Sequence, residues 1–402
     1  MEKMSSPKKY FITTFGCQSN VHDSEAIAGI LESMDFFETK SEYDADLWIV
    51  NTCSVRQKSE DKVYGIGKKI REIRSKNHKL KIILAGCMVG SVTGERQRYD
   101  FEELKKRTPW ANYYMNPSQI RELPQILHSL GIAGKWASKA LDLFPVTEKR
   151  FSTFAPGEDA LPNKKHAFVN ISLGCDNFCT FCVVPYARGK EISRDKPKIL
   201  NEVKLLAQMG YTEITLCGQN VNSWGLDTSV KFQIRTGSDD KLPFANLLRE
   251  VHEVEGIDKI SFISSNPFDF TNDLVEVLKL PKISRYLHIA VQSGNNEVLK
   301  KMNRRHTVED FTDLIANVRE AVPEIELGTD IIVGFPSETE SQFEDTIKLC
   351  EKIGFSVAYI SIYSPRKGTP AEKFFKDDVS LNEKKRRHAV LTQVIEKSKN
   401  KK

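Results

Sequence analysis

Hydrophobic positions in the first third of the chain fall in short β-branched or aromatic runs, separated by stretches with a helical period. Lys9-Tyr10-Phe11-Ile12-Thr13-Thr14-Phe15 predicts a strand, and Asp23 to Met34 a helix. Asp46 to Val50 predicts a second strand, Glu60 to Arg74 a second helix and Lys81 to Ala85 a third strand. Strands spaced this way by helices form βαβ units, hence a parallel sheet covered on both faces. From about Trp136 to Lys165 the pattern fades among Pro145, Pro156, Gly157 and Pro162, which predicts a linker. Six further strands are predicted at Ala167 to Leu173, Glu213 to Cys217, Lys259 to Ser264, Leu287 to Val291, Leu327 to Val333 and Ser356 to Tyr363. Helical stretches such as Ile199 to Met209, Phe244 to Val254 and Glu340 to Ile353 lie between them. The reading is therefore an α/β protein. An open parallel-sheet domain over 1–135 and a linker over 136–165 precede a partial (β/α)6 barrel over 166–380 and a basic helical end over 381–402.

Composition narrows the class. At 402 residues the chain is long enough for two or three domains, and 40% hydrophobic with 28% charged residues is globular. No apolar stretch approaches the ~20 residues that span a bilayer, and the only apolar run near the N-terminus is Tyr10 to Ile12. The expectation is a cytoplasmic protein that does not engage a membrane. Eight cysteines in a reducing compartment point to metal ligands or core thiols rather than disulfides. The net charge is only +5, yet from Lys384 onward eight Lys/Arg face one acid, Glu396. Such an end suits a polyanion such as nucleic acid, or is simply a solvated helix end.

The cysteines carry the chemistry. Gly174-Cys175-Asp176-Asn177-Phe178-Cys179-Thr180-Phe181-Cys182 is a C-x3-C-x2-C array directly after the first barrel strand. Three thiolates on one loop can surround one metal centre, and soft sulfur selects zinc or iron–sulfur clusters. A structural zinc needs a fourth ligand, and the next histidine is His252. Three ligands on a four-iron cluster leave one iron open, as reactive chemistry requires.

A second set lies upstream. Cys17, Cys53 and Cys87 each follow the carboxyl end of one predicted strand, at intervals of 36 and 34 residues. Ligands of an open parallel sheet gather beyond the strands' carboxyl ends, so cysteines far apart in sequence converge there. Singly, each is a plausible core thiol; three at equivalent positions form the working hypothesis of a second three-cysteine iron–sulfur cluster. Cys217 reads as a core or wall residue and Cys350 as helix packing.

C-x3-C-x-aromatic-C at the first strand of a partial barrel resembles the radical S-adenosylmethionine (SAM) superfamily. Two cysteine triads in this order resemble the methylthiotransferases, and five phrases resemble their MiaB branch: Cys182 to Arg194, Gly218 to Gly225, Ala290 to Gly294, Met302 to Arg305 and Thr329 to Pro336. The match runs from about Tyr10 to about Arg387.

That resemblance implies methylthiolation at C2 of an N6-prenylated adenosine beside the anticodon, with two [4Fe-4S] clusters and SAM as cofactors. Cys175, Cys179 and Cys182 would hold the cluster that cleaves SAM, and Cys17, Cys53 and Cys87 the cluster that supplies sulfur. For SAM itself it implies Phe181, Gly218, Gln219, Ser293 and Gly334, while Gly334-Phe335-Pro336-Ser337-Glu338 departs from the common G-x-x-E spacing. It further implies as partners a tRNA anticodon stem-loop, a flavodoxin- or ferredoxin-like electron donor and iron–sulfur assembly or sulfur-donor proteins. Arg188, Lys190, Arg194, Arg304 and Arg305 are candidates for tRNA phosphates, and Tyr186 and Trp224 for base stacking. Members of the family usually end in a small β-rich TRAM domain, which is expected to be absent here. No side chain is singled out as a general acid or base. The competing expectations are a sister methylthiotransferase for N6-threonylcarbamoyladenosine or a ribosomal-protein aspartate, and a non-catalytic iron–sulfur carrier.

Overall fold

The structure, a computed structural model, describes residues 8–55, 57–132 and 165–399. These fall into two compact units: 8–132 together with Val183–Glu191, and 165–182 together with 192–399. The expected linker lies almost entirely outside the described residues.

In the first unit, β1 (Lys9–Phe15), β2 (Phe37–Glu38), β3 (Leu47–Thr52), β4 (Lys81–Gly86) and β5 (Tyr113–Met115) form one sheet in the order β2-β1-β3-β4-β5. Every pairing is parallel. Alternation along the central strands explains the two covered faces. Leu47, Ile49, Ile83 and Ala85 enter one core with α1 (Gln18–Ser33), whereas Trp48, Val50, Ile82 and Leu84 enter the other. The predicted helix at Glu60 to Arg74 is two helices, α2 (Gln57–Gly65) and α3 (Gly67–Lys76), because Gly65 and Gly67 weaken helix propensity on both sides of Ile66. The edge strands β2 and β5, two and three residues long, went unanticipated because they are too short to show a period. Short helices α4 (Cys87–Thr93), α5 (Phe101–Arg107), α6 (Leu123–Ser129) and α7 (Val184–Ala187) complete the unit.

The second unit opens with β6 (Lys165–Asn170), then β7 (Ser172–Leu173), which pairs antiparallel with β8 (Ile192–Ser193). The predicted first barrel strand is thus split at Ile171. The other five strands are β9 (Tyr211–Cys217), β10 (Lys259–Phe262), β11 (Tyr286–His288), β12 (Glu326–Val333) and β13 (Val357–Ile362). All the pairings they make are parallel, β10-β9-β6 and β11-β12-β13, and parallel bridges at Ile260–Ile283 and Ser265–Ile289 join the two halves. The result is a six-stranded partial barrel. Its outward side chains, among them Val169, Leu216, Ile260, Leu287 and Ile331, share one core with α8 (Lys196–Gln208), α10 (Pro243–His252), α11 (Asn272–Val277), α13 (Val308–Ala321), α14 (Glu340–Ile353) and α16 (Leu381–Lys399), while α12 (Asn296–Lys301) and α15 (Pro370–Phe374) meet in a smaller cluster and α9 (Thr228–Lys231) is a single short turn.

Candidate functional site

Cys17, Cys53 and Cys87 converge beyond the carboxyl ends of β1, β3 and β4, as the strand-end positions predicted. Cys17 caps α1, Cys53 follows β3 and Cys87 opens α4. The Cys53 thiol lies against both others. Its hydrogen bonding, aided by the charge of Arg188, pulls Cys17 well below the ordinary thiol range and Cys87 to about 7 against the opposing effect of burial. Cys53, donating to its neighbours, is raised.

Amides frame the triad. Asn20 Oδ1 accepts the Cys17 N–H (3.3 Å) and its Nδ2 reaches Cys87 Sγ (4.0 Å), while Asn51 Nδ2 donates to the Asn20 carbonyl (2.9 Å) and to Ser24 Oγ (2.8 Å). Gly86 has φ +95°, and a Cβ there would stand 2.3 Å from Asn51 Oδ1, so the approach of Cys87 requires glycine. Arg188, expected on a surface, is buried and donates to Asp23 Oδ2 at 2.6 Å within this same unit. Burial raises Asp23 in spite of that partner.

In the second unit Cys175 and Cys179 are buried and Cys182 is partly buried. Gly174 (φ +73°) and Phe178 (φ +49°) turn the loop sharply. A brace from the segment after α12 fixes it. Thr180 N–H donates to the Met302 carbonyl (3.0 Å), Thr180 Oγ1 to the Lys301 carbonyl (2.9 Å), and Asn303 Nδ2 to the Phe178 carbonyl (3.0 Å). Arg304 is buried too: Nη1 donates to Cys179 Sγ (3.4 Å) and Nη2 to the Ala290 carbonyl (2.5 Å). Burial and the adjacent Arg304 hold His306 well below its ordinary range, hence neutral.

The expected SAM residues are distributed around this loop with differing surroundings. Phe181 packs on Val298, Met302, Phe335, Tyr363 and Ala371. Gly218 sits under Ser172, whose Oγ would be 2.3 Å from a Cβ, and Gln219 beside it is partly buried. Ser293 is fully buried, its Oγ accepting the Asn295 N–H at 3.3 Å. Gly334 (φ +69°) is filled by Lys384, 2.3 Å from where a Cβ would be, and donates its N–H to Glu338 Oε2 at 2.7 Å. Its missing side chain therefore serves the docking of α16. Buried atoms without a hydrogen-bond partner among the described residues mark room for a polar ligand: both ends of the Asn177 amide, Ser172 Oγ and Ser265 Oγ. Each would cost about 1–3 kcal/mol if left unmet, so the residues present fit a polar cofactor beside the cysteine loop.

Other expectations are corrected. Arg194 is buried in an ion pair with Glu202, Arg305 donates to Asp269 Oδ1 (2.7 Å), and Trp224 is buried with its Nε1–H on the Arg194 carbonyl (3.0 Å). Of the five basic candidates only Lys190 is exposed, and Tyr186 is partly buried. The basic end is also committed. Arg387 pairs with Glu338 (2.8 Å), Lys384 with Asp377, and Arg386 with Glu340 (2.5 Å) and Glu383 (2.7 Å). Burial raises Glu338, a residue whose spacing had left it without a role. Cys217 and Cys350 are both buried as expected.

One polar group escaped the sequence reading. Tyr286 OH meets His288 Nδ1 (3.1 Å) and His288 Nε2 meets Asp330 Oδ2 (2.8 Å) on the face opposite the helices, where a Cβ on Gly328 would stand 2.0 Å from the tyrosine oxygen. Polar residues at alternate positions of otherwise apolar strands were the available signal.

Residues 169–350 match the model of the radical SAM superfamily, and residues 9–113 that of the uncharacterized protein family UPF0004. The tRNA-2-methylthio-N(6)-dimethylallyladenosine synthase of Clostridium botulinum (strain Loch Maree / Type A3) is 38% identical over 388 residues, covering 96% of this chain and 81% of that protein. The chain belongs to this synthase family. The synthase of Thermoanaerobacter sp. (strain X514) is 40% identical over 363 residues, covering 90% and 72%. Membership makes the chain an enzyme, a radical SAM transferase whose cofactors are [4Fe-4S] and SAM. Two solved structures share the fold at 13% identity. They are the radical SAM methyltransferase TsrM from Kitasatospora setae, with a TM-score of 0.63 over 91% of this chain and 75% of that one, and the cobalamin-dependent radical enzyme OxsB, with 0.54 over 97% and 56%. No helix among the described residues is long and apolar enough to cross a membrane.

Proposed function

We propose that this protein is a tRNA-2-methylthio-N(6)-dimethylallyladenosine synthase, methylthiolating C2 of an N6-prenylated adenosine beside the anticodon, in the cytoplasm. The observation that carries the reading is the convergence of Cys17, Cys53 and Cys87 in a unit separate from the C-x3-C-x2-C loop. A radical SAM enzyme with one cluster has no use for it.

In this reading Cys175, Cys179 and Cys182 hold one [4Fe-4S] cluster and Cys17, Cys53 and Cys87 the other. The functional domains run over 1–135 and 166–380. Among the described residues no three His, Cys, Asp or Glu side chains close on a single metal ion, so the assignment rests on donor chemistry and position: soft thiolates, three per site. Once bound, the clusters and SAM supply a low-potential electron, a carbon radical, a methyl group and a sulfur atom. The chain's own residues bind and orient. Arg188 offsets thiolate charge at the first site, and the Lys301–Arg304 segment fixes the loop at the second. Phe181, Gly218, Gln219 and Ser293 border the place for SAM, and Gly334 acts there through α16. The reduction calls for a flavodoxin- or ferredoxin-like donor, and repeated turnover for iron–sulfur assembly or sulfur-donor proteins.

The test is nucleoside mass spectrometry of tRNA incubated anaerobically with reconstituted protein, SAM and a low-potential reductant. The 2-methylthio derivative of the prenylated nucleoside is expected. Product only on N6-threonylcarbamoyladenosine, or SAM cleavage without methylthiolation, contradicts the proposal.

A further inference from the structure

We propose that Arg304 is a positioning residue that sets the reduction potential of the centre held by Cys175, Cys179 and Cys182, through its hydrogen bond to Cys179 Sγ; this rests on the cluster assignment above. The guanidinium is held on three sides. Nη1 points to Cys179 Sγ at 3.4 Å, Nη2 donates to the Ala290 carbonyl at 2.5 Å, and the ring of Phe268 lies 4.8 Å below. Only 8% of the residue is exposed, so the charge acts through a low local dielectric and is little screened by salt. Its neighbour Arg305 turns the other way, to Asp269 Oδ1 (2.7 Å) and the Lys231 carbonyl (3.0 Å), which leaves Arg304 without a carboxylate to neutralise it in its hydrogen bonds.

A donor cation on a ligating sulfur stabilises the more negative, reduced form of a cluster more than the oxidised form, and hydrogen bonds to sulfur are an established lever on cluster potential. Arg304 thereby eases the first electron into the centre. The planar guanidinium suits this role because it reaches sulfur and carbonyl with separate N–H groups of one rigid fork.

The experiment is an EPR-monitored potentiometric titration of the full-length chain carrying Cys17→Ala, Cys53→Ala and Cys87→Ala, so that only the barrel centre is read. Arg304→Gln and Arg304→Met are expected to keep their iron and to shift the reduced-to-oxidised ratio at fixed potential about tenfold toward oxidised, which is about 59 mV for a one-electron couple. Arg304→Lys, which keeps the charge, is expected to stay within about threefold of the parent. Midpoints unchanged in Gln and Met with iron retained overturn the proposal. So does iron loss from all three variants, Lys included, which would make Arg304 a folding residue. If the parent with Arg304 intact binds no iron, the cluster assignment itself fails, an outcome separate from the others.

Discussion

Breaking the buried ion pair between Asp23 and Arg188 is expected to loosen the first cysteine site more than any surface change. Their closest atoms are 2.6 Å apart and both side chains are more than nine-tenths buried. At an effective dielectric constant of ~20 the attraction at that distance is about 6 kcal/mol. Desolvation costs several kcal/mol per ion, so the intact pair contributes little net stability, whereas removing one partner strands a buried charge at about 3–5 kcal/mol. Asp23→Leu and Arg188→Met are therefore each expected to lower the stability of the first unit by about 3–5 kcal/mol, and the double variant to recover most of that loss. Hydrogen exchange of the α1 amides reads this locally. Opening should rise by about two orders of magnitude or more in either single variant and return near the parent in the double. Strictly additive effects, or singles costing under about 1 kcal/mol, would refute the assignment of a desolvated pair.

Three further outcomes follow from the geometry. Gly86→Ala places a Cβ at φ +95° within 2.3 Å of Asn51 Oδ1 and 2.6 Å of the Thr52 carbonyl. It should cost about 3 kcal/mol or more, the glycine-only backbone conformation (φ +95°, ψ −159°) alone accounting for about 1–3, and an unchanged urea midpoint contradicts it. In metal-free protein Cys53→Ala removes the hydrogen bond that most strongly lowers Cys17, so the pH midpoint for Cys17 alkylation should move up toward the ordinary thiol value; a fixed midpoint would dismiss the thiol contact. Glu383, brought to about 2 chiefly by hydrogen bonding from Arg386, should help hold α16 fully above about pH 5. That help is lost as pH falls through the folded value, and because the carboxylate is partly open to solvent, exchange protection of α16 should decline only modestly on acidification and weaken in high salt.

Much of the fold is legible because the strands of a parallel sheet buried on both faces are long apolar runs. Leu47 to Val50 feeds two cores at once, and no surface pattern imitates that. The approach of Cys17, Cys53 and Cys87 to one another was legible too, since loops after parallel strands must gather at one end of the sheet. Charged residues misled. Arg188, Arg304 and Arg387 were candidates for a polyanion, yet each is buried against a carboxylate or a sulfur supplied from far along the chain, and Arg194 against Glu202 eight positions on. Asp23 and Arg188 lie 165 positions apart, Arg304 and Cys179 125. Partners at such separations leave no local period. The Tyr286–His288–Asp330 group was missed for a related reason: it needs the register of β11 against β12, and the empty space of Gly328, to come together.

The most direct test of the whole account is the anaerobic iron and acid-labile sulfide content, with Mössbauer spectra, of the parent and of the Cys17→Ala/Cys53→Ala/Cys87→Ala and Cys175→Ala/Cys179→Ala/Cys182→Ala variants. Two four-iron clusters predict about eight irons per chain in the parent and about four in each triple variant. About four in the parent, unchanged when the strand-end cysteines are removed, would contradict it.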